Sequence, residues 1–202
     1  MLVKKICIDH PYHGLVQLIA MCNGNSSTSH NATNIKFGSG KVIAAEKLLR
    51  DIMKSAPVFV GELTESYSAL VNAYISLALA DTTNLVQQKY TKNVPLSTLK
   101  IPGGSRNSIL KCLKGRKKYL PCVMTRLPII SPIAEYGDGD EDPKGSERVA
   151  TFDSNFSITD SGIHRPKIIV CVGMKGGRYR QLVKGEGQFL ILYYDSLQIH
   201  EI

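Results

Sequence analysis

The 202 residues are 43% hydrophobic and 21% charged, an ordinary globular composition with room for one large domain or two small ones. A formal net charge of +8 permits attraction to nucleic acid or an anionic surface without requiring it. Cys7, Cys22, Cys112, Cys122 and Cys171 are odd in number and form no CxxC pair, so they read as reduced thiols of an intracellular protein, not as a disulfide framework.

At the N-terminus, Asp9, His10 and Pro11 interrupt any signal-peptide core after Lys4 and Lys5. The apolar run Leu15 to Cys22 is too short to span a membrane. Asp9 can cap a helix and Pro11 suits its first turn; Asn23-Gly24 is the stop signal. Asn25 to Gly40, rich in Ser, Thr, Asn and Gly, reads as a mobile loop, and its two glycosylation-like sequons read as polar linker. From Lys41 to Ser55 the apolar residues Val42, Ala45, Leu48, Leu49, Ile52 and Met53 make a one-sided helical stripe that Pro57 ends. Leu63, Tyr67, Leu70, Val71, Tyr74, Ile75 and Ala78 repeat the pattern in a stronger helix.

After Asp81 prolines and β-branched residues increase. Tyr119–Met124, Val149–Ile158, Pro166–Gly173 and Arg178–Lys184 are the predicted strands. Tyr136–Gly145 reads as an acidic surface turn, and Lys111, Lys114, Arg116, Lys117 and Lys118 as a basic cluster, either a nucleic-acid patch or a solvated face. Helices first and strands later predict an α+β arrangement or two segregated units. The FLILYY run near the end is apolar, β-prone and uncharged, an aggregation hazard if exposed.

Three motifs yield to plainer readings. Gly38-Ser-Gly40-Lys41 fails the phosphate-loop pattern, because Ile35 stands where the first Gly belongs and Val42 where Ser or Thr belongs. His10 and His13 can share a helix face, but no third metal ligand is recognisable nearby. Asp138, Asp140, Glu141 and Asp142 lack calcium-loop spacing. The serious candidate is Val149 to Lys184. Ser161 and Gly162 lie in a short loop between strands that can aim backbone N–H groups and a hydroxyl at phosphate oxygens. In RYRQLVK the alternation puts Leu182 and Lys184 on one face, an apolar residue and a cation suited to a base and its phosphates. The plain alternative is an antiparallel sheet with an exposed lysine at a strand end.

PKIIVCVG and QLVKG, within Lys167 to Gly185, resemble the N-lobe of ATM-like phosphatidylinositol 3-kinase-related serine/threonine protein kinases. DHPYHGLVQLIA resembles the helix near the end of that family's FAT region, and SYSALVNAYISLA fits the helical segment between. The resemblance implies a helical segment over 1–92, a partial antiparallel kinase N-lobe over 93–185 and a divergent tail over 186–202. It implies that Lys184 is the ATP lysine and Leu182 an adenine-pocket wall. Ser161 and Gly162 fall in the phosphate-covering loop, and Pro166 borders it. It further implies ATP with Mg or Mn, protein substrates, DNA-damage signalling partners, a nuclear location and no membrane. The departure is equally informative. After VKG the family continues with an RDDLRQD-like segment, whereas this chain has EGQFLILYYDSLQIHEI; no catalytic-loop Asp/Asn pair or DFG follows Lys184. The expectation is a truncated fragment or misread gene product, with weak or absent ATP binding and with Phe152, Phe156 and FLILYY left uncovered. The alternative is a non-catalytic basic interaction module binding protein or nucleic acid.

Overall fold

The structure, a computed structural model, describes residues 2–23, 35–101, 108–113, 120–122, 147–159, 165–186 and 189–195, with the backbone path alone for 35–39, 185–186 and 189–195. Helices come first: α1 (Leu2–Asp9), α2 (Pro11–Asn23), α3 (Ile35–Ser55), α4 (Val58–Leu79) and the short α5 (Thr83–Gln87). Asp9 does not cap the second helix as expected. It ends α1 and pairs with Lys5 at 2.7 Å, one turn back. The break falls at His10, whose carbonyl accepts the amides of His13 and Gly14, and Pro11 opens α2, where a missing N–H costs nothing.

The predicted loop to Gly40 is partly helix. α3 starts at Ile35, so Gly38, Gly40 and Lys41 lie inside a helix and cannot wrap a phosphate. Each Gly in a helix costs about 1 kcal/mol against Ala. Tertiary packing outweighs that here, since Ala45 and Ile52 of the same helix are fully buried. α4 follows Pro57 and is buried over most of its circumference, from Val60 and Leu63 through Tyr67, Leu70 and Tyr74 to Leu77. Polar groups survive there because Thr64, Ser66 and Ser68 each donate to the carbonyl one turn back, at 2.6, 2.8 and 2.8 Å. Beyond α4, Asp81 accepts the amide and hydroxyl of Thr83 and starts α5. Those hydrogen bonds hold its carboxyl below the usual value.

The sheet is antiparallel and made of β1 (Val94–Pro95), β2 (Val149–Phe152), β3 (Asn155–Ile158), β4 (Lys167–Gly173), β5 (Arg178–Glu186) and β6 (Phe189–Asp195). The order is β1-β3-β4-β5-β6, with β2 also pairing β4. The predicted strand Val149–Ile158 is therefore two. It breaks at Asp153 and Ser154, where Asp153 pairs with Arg178 and the Ser154 carbonyl accepts the amide of Leu96. Of the predicted strand Tyr119–Met124, the described residues contribute one bridge, Pro121 to Arg148. FLILYY lies in β6, paired along β5 from Glu186–Phe189 to Arg180–Asp195.

The β4–β5 turn is built around Glu147. A Cβ on Gly173 would stand 1.4 Å from Glu147 Oε1, so glycine is required for the carboxylate to occupy that place. Glu147 Oε2 accepts the Lys175 amide at 3.3 Å, and Gly176 takes the left-handed φ of +89° that closes the turn.

α4 packs on α2 and on β5, so helices and sheet share one continuous core. That corrects an expectation. Phe152 and Phe156 are buried, at 4% and 2% exposure. The chain's own helix packs on Phe152, whose ring meets that of Tyr74 edge to face, 6.2 Å apart. Among the described residues no helix is long and apolar enough to cross a membrane.

Candidate functional site

The strand pair β4–β5 has two chemically different faces. Its register sets Lys167 opposite Val183, Ile169 opposite Gln181 and Cys171 opposite Tyr179 on one face. Ile168 faces Leu182, Val170 faces Arg180 and Val172 faces Arg178 on the other. Burial follows this alternation through β4 and, less completely, through β5: Lys167, Ile169, Cys171, Gln181 and Val183 are buried, while Ile168, Val170, Leu182 and Lys184 are half-exposed. The expected pairing of Leu182 and Lys184 on one face is what the register gives.

On that outward face Leu182 and Ile168 form an apolar floor with Val170 beside it, and Lys184 stands two residues further along β5 than Leu182. Ser157 of β3, opposite Ile168, extends the same face. Thr159, just past β3, closes the base of the intervening loop, its amide and hydroxyl donating to the Pro166 carbonyl at 2.9 and 3.2 Å. Pro166 thus borders the loop as expected. Arg165 before it takes a φ of +42°, a left-handed conformation that costs a non-glycine residue about 1 kcal/mol or more. Ser161 and Gly162 lie outside the described residues, as do the acidic turn and all of the basic cluster except the exposed Lys111.

Behind the site lies a buried polar layer that the sequence reading missed. Tyr74 of α4 donates its hydroxyl to Gln181 Oε1 at 2.5 Å, and Gln181 Nε2 donates to the Cys122 carbonyl at 3.2 Å. Lys167 Nζ donates to the Ala78 carbonyl at 2.7 Å. Tyr74 and Ala78 are four residues apart, hence on one side of α4, so a single helix side holds both strands from behind. Lys167 is 2% exposed. Burial pulls its amine down from 10.5 to about 8, against the opposing pull of Asp81. The signal was present: Lys167, Ile169 and Cys171 share one parity, so the core face includes the lysine. Nearby, the hydrogen bond that the Cys171 thiol makes to Cys122, together with burial, pushes that thiol up.

The outward face thus sets the apolar side chains of Leu182 and Ile168 beside the ammonium-bearing Lys184. No group of three His, Cys, Asp or Glu side chains among the described residues could hold a metal ion, His10 and His13 included.

No protein-family profile matches the chain. Curated relatives do. Serine/threonine-protein kinase ATM of Arabidopsis thaliana is 28% identical over 190 residues, covering 91% of this chain and 4% of that protein. Serine-protein kinase ATM of Sus scrofa is 27% identical over 195 residues, covering 91% and 6%. Serine/threonine-protein kinase TEL1 of Gibberella zeae is 27% identical over 197 residues, covering 91% and 6%. The open conformation of CtTel1 superposes with a TM-score of 0.65 at 24% identity, over 91% of this chain and 6% of that one. The FAT and kinase domain of CtTel1 gives 0.63 at 23%, over 91% and 11%.

The α+β fold is thus one shared with a stretch of the Tel1 FAT and kinase regions. The chain is a homologue of the ATM and Tel1 serine/threonine kinases, as the resemblance implied. It spans about one-twentieth of the length of those curated relatives, at 4% and 6% of each.

Proposed function

We propose that this chain corresponds to the junction of an ATM-type serine/threonine kinase, where helices like the end of a FAT region meet the first strands of the kinase N-lobe. Lys184 is its ATP-phosphate lysine, Leu182 a wall against the adenine, and Ser161 and Gly162 belong to the loop over the phosphates, with Pro166 at its border. The observation that carries this reading is the outward face of β4–β5, where Leu182, Ile168 and Lys184 converge on the side away from the core. The homology to ATM and Tel1 supports it.

Kinases of this kind use ATP with a divalent metal; phosphoryl transfer rests on positioning and charge stabilisation by lysine and metal. Within the 202 residues the lysine side is present, and the catalytic-loop Asp/Asn pair and the DFG are not. The chain alone is therefore proposed to bind ATP no tighter than roughly millimolar, about 4 kcal/mol of binding free energy, and to transfer no phosphate. The proposal extends to protein substrates, DNA-break signalling partners and a nuclear location for the kinase that contains this segment. A tagged kinase containing this segment, found outside the nucleus of intact cells, would contradict the last point.

The deciding experiment treats the chain with a lysine-reactive acyl phosphate of ATP and maps the labelled lysines. Lys184 is expected to be labelled preferentially and protected by excess ATP. Equal labelling of Lys184 and the exposed Lys175, with DNA binding that falls steeply in salt, would replace this reading with that of a basic interaction module.

A further inference from the structure

The nucleotide reading uses one face of β5; the opposite face carries a contact that it leaves unexplained. Gln181 is 1% exposed and sits between Tyr74 and the Cys122 carbonyl, with both ends of its amide engaged. A glutamine at a buried strand position surrenders hydration that an apolar residue would not, so its hydrogen bonds must compensate for that loss. Apolar packing alone is non-directional. A hydrogen bond is directional, and two of them from one amide fix the rotation of the strand that carries it.

The strand fixed in this way presents Leu182 and Lys184. Gln181 directly precedes Leu182, and alternation makes its inward direction the outward direction of Leu182 and Lys184. The neighbouring strand is held by the same helix side, through Lys167 and the Ala78 carbonyl. Lys167 lies opposite Val183, the residue between Leu182 and Lys184. Both ties of α4 therefore fall directly behind the outward pair.

We infer that Tyr74, acting through Gln181, is a positioning residue that sets where Leu182 and Lys184 stand on the outward face, so that the helical segment governs the strand proposed to bind nucleotide. The inference rests on the nucleotide reading for its functional consequence and on the Tyr74–Gln181–Cys122 chain for its geometry. A shift of the lysine of about an ångström is enough to slow a reaction that depends on alignment by an order of magnitude or more.

The test uses the whole 202-residue chain. Tyr74→Phe keeps the ring on Phe152 and removes the hydroxyl. Thr64→Ala removes a buried hydroxyl whose hydrogen bond, to the Val60 carbonyl, stays within the same helix, and so controls for lost stability. The labelling rate of Lys184 by the ATP acyl phosphate, relative to Lys175, is expected to fall about tenfold in Tyr74→Phe and to hold in Thr64→Ala. The Leu182 methyl order parameter is expected to fall in parallel. In Tyr74→Phe with Gln181→Met the unmet Gln181 Oε1 is removed but the buried Cys122 carbonyl loses its donor, so the melting temperature should stay below that of the unaltered chain and Lys184 labelling should stay low.

Tyr74→Phe that melts like Thr64→Ala, with Lys184 labelling and Leu182 order unchanged, overturns the inference. If Lys184 of the unaltered chain is labelled no faster than Lys175, the nucleotide reading falls instead. The Leu182 methyl order in Tyr74→Phe then decides the positioning inference by itself.

Discussion

The two faces of β4–β5 carry a lysine each, and the lysines do opposite things. Lys167 points into the core, is 2% exposed and hydrogen-bonds a carbonyl at the end of α4. Lys184 lies half-exposed on the outward face beyond Leu182. The inward lysine is a matter of fold: its charge is disfavoured, and its position is fixed by a helix. The outward lysine keeps part of its surface in water. Residue type does not separate them; strand parity does. A charged residue in a strand is therefore assigned by the face it shares, not by its charge.

The sharpest way to break the contrast is to remove the helix side behind the sheet. Tyr74→Ala deletes a fully buried ring packed on Phe152 and leaves Gln181 Oε1 without its donor. Such aromatic truncations cost about 3–5 kcal/mol, with the unmet acceptor adding to the upper end. Urea unfolding should show a loss of about 4 kcal/mol. A loss below about 1 kcal/mol would mean that α4 does not hold the sheet.

Titration separates the two lysines next. Lys167 has a folded value of about 8 against an ordinary value near 10.5. Between those values the unfolded chain binds the extra proton, so the Lys167 contribution to stability rises with pH through this window. Below about pH 8 the amine is protonated in both states and the cost of burying the cation is fully present. Above the unfolded value the amine is neutral in both states. Burial pushes the thiol of Cys112 up to about 12, and its effect runs the other way, lost as pH rises above the unfolded thiol value. The measurement is therefore the difference between the unaltered chain and Lys167→Met, in which the thiols cancel. The unaltered chain should gain up to about 3 kcal/mol on the variant across this window. A flat difference would place Lys167 in solvent.

The smallest stability effect belongs to Lys184→Met. Half-exposed and outward, it should change the free energy of unfolding by less than about 0.5 kcal/mol, while calorimetry should show weaker ATP binding. A loss of several kcal/mol would show that Lys184 supports the fold in the way Lys167 does.

Much of this arrangement was legible in the chain. The stripes from Val42 to Met53 and from Leu63 to Ala78 gave α3 and α4, because apolar residues at helical spacing leave one reading. Alternation in RYRQLVK gave the outward pair. What was missed shares a cause: local chemistry was overruled by distant packing. Gly38 and Gly40 suggested a loop, yet both lie in α3. Lys167 and Gln181 carry side chains that normally face water, and only a helix about a hundred residues away makes them core; Tyr74 and Gln181 are 107 positions apart. Phe152 and Phe156 were expected to lie bare because a helix and a second lobe were taken to be the sheet's cover, whereas both are buried here and α4 packs on Phe152.

The separation of Tyr74 and Gln181 has a further consequence, in the entropy of chain closure. Their hydrogen bond closes a circuit of 107 residues that includes everything between α4 and β5. The entropic cost of closing a loop grows only with the logarithm of its length, about 0.6 kcal/mol for each doubling. Once a circuit is this long, its length by itself contributes little to the cost of docking α4 on β5. What the intervening contacts of β1, Cys122 and Glu147 with the sheet add is therefore geometry, not relief from the entropy of closing the circuit.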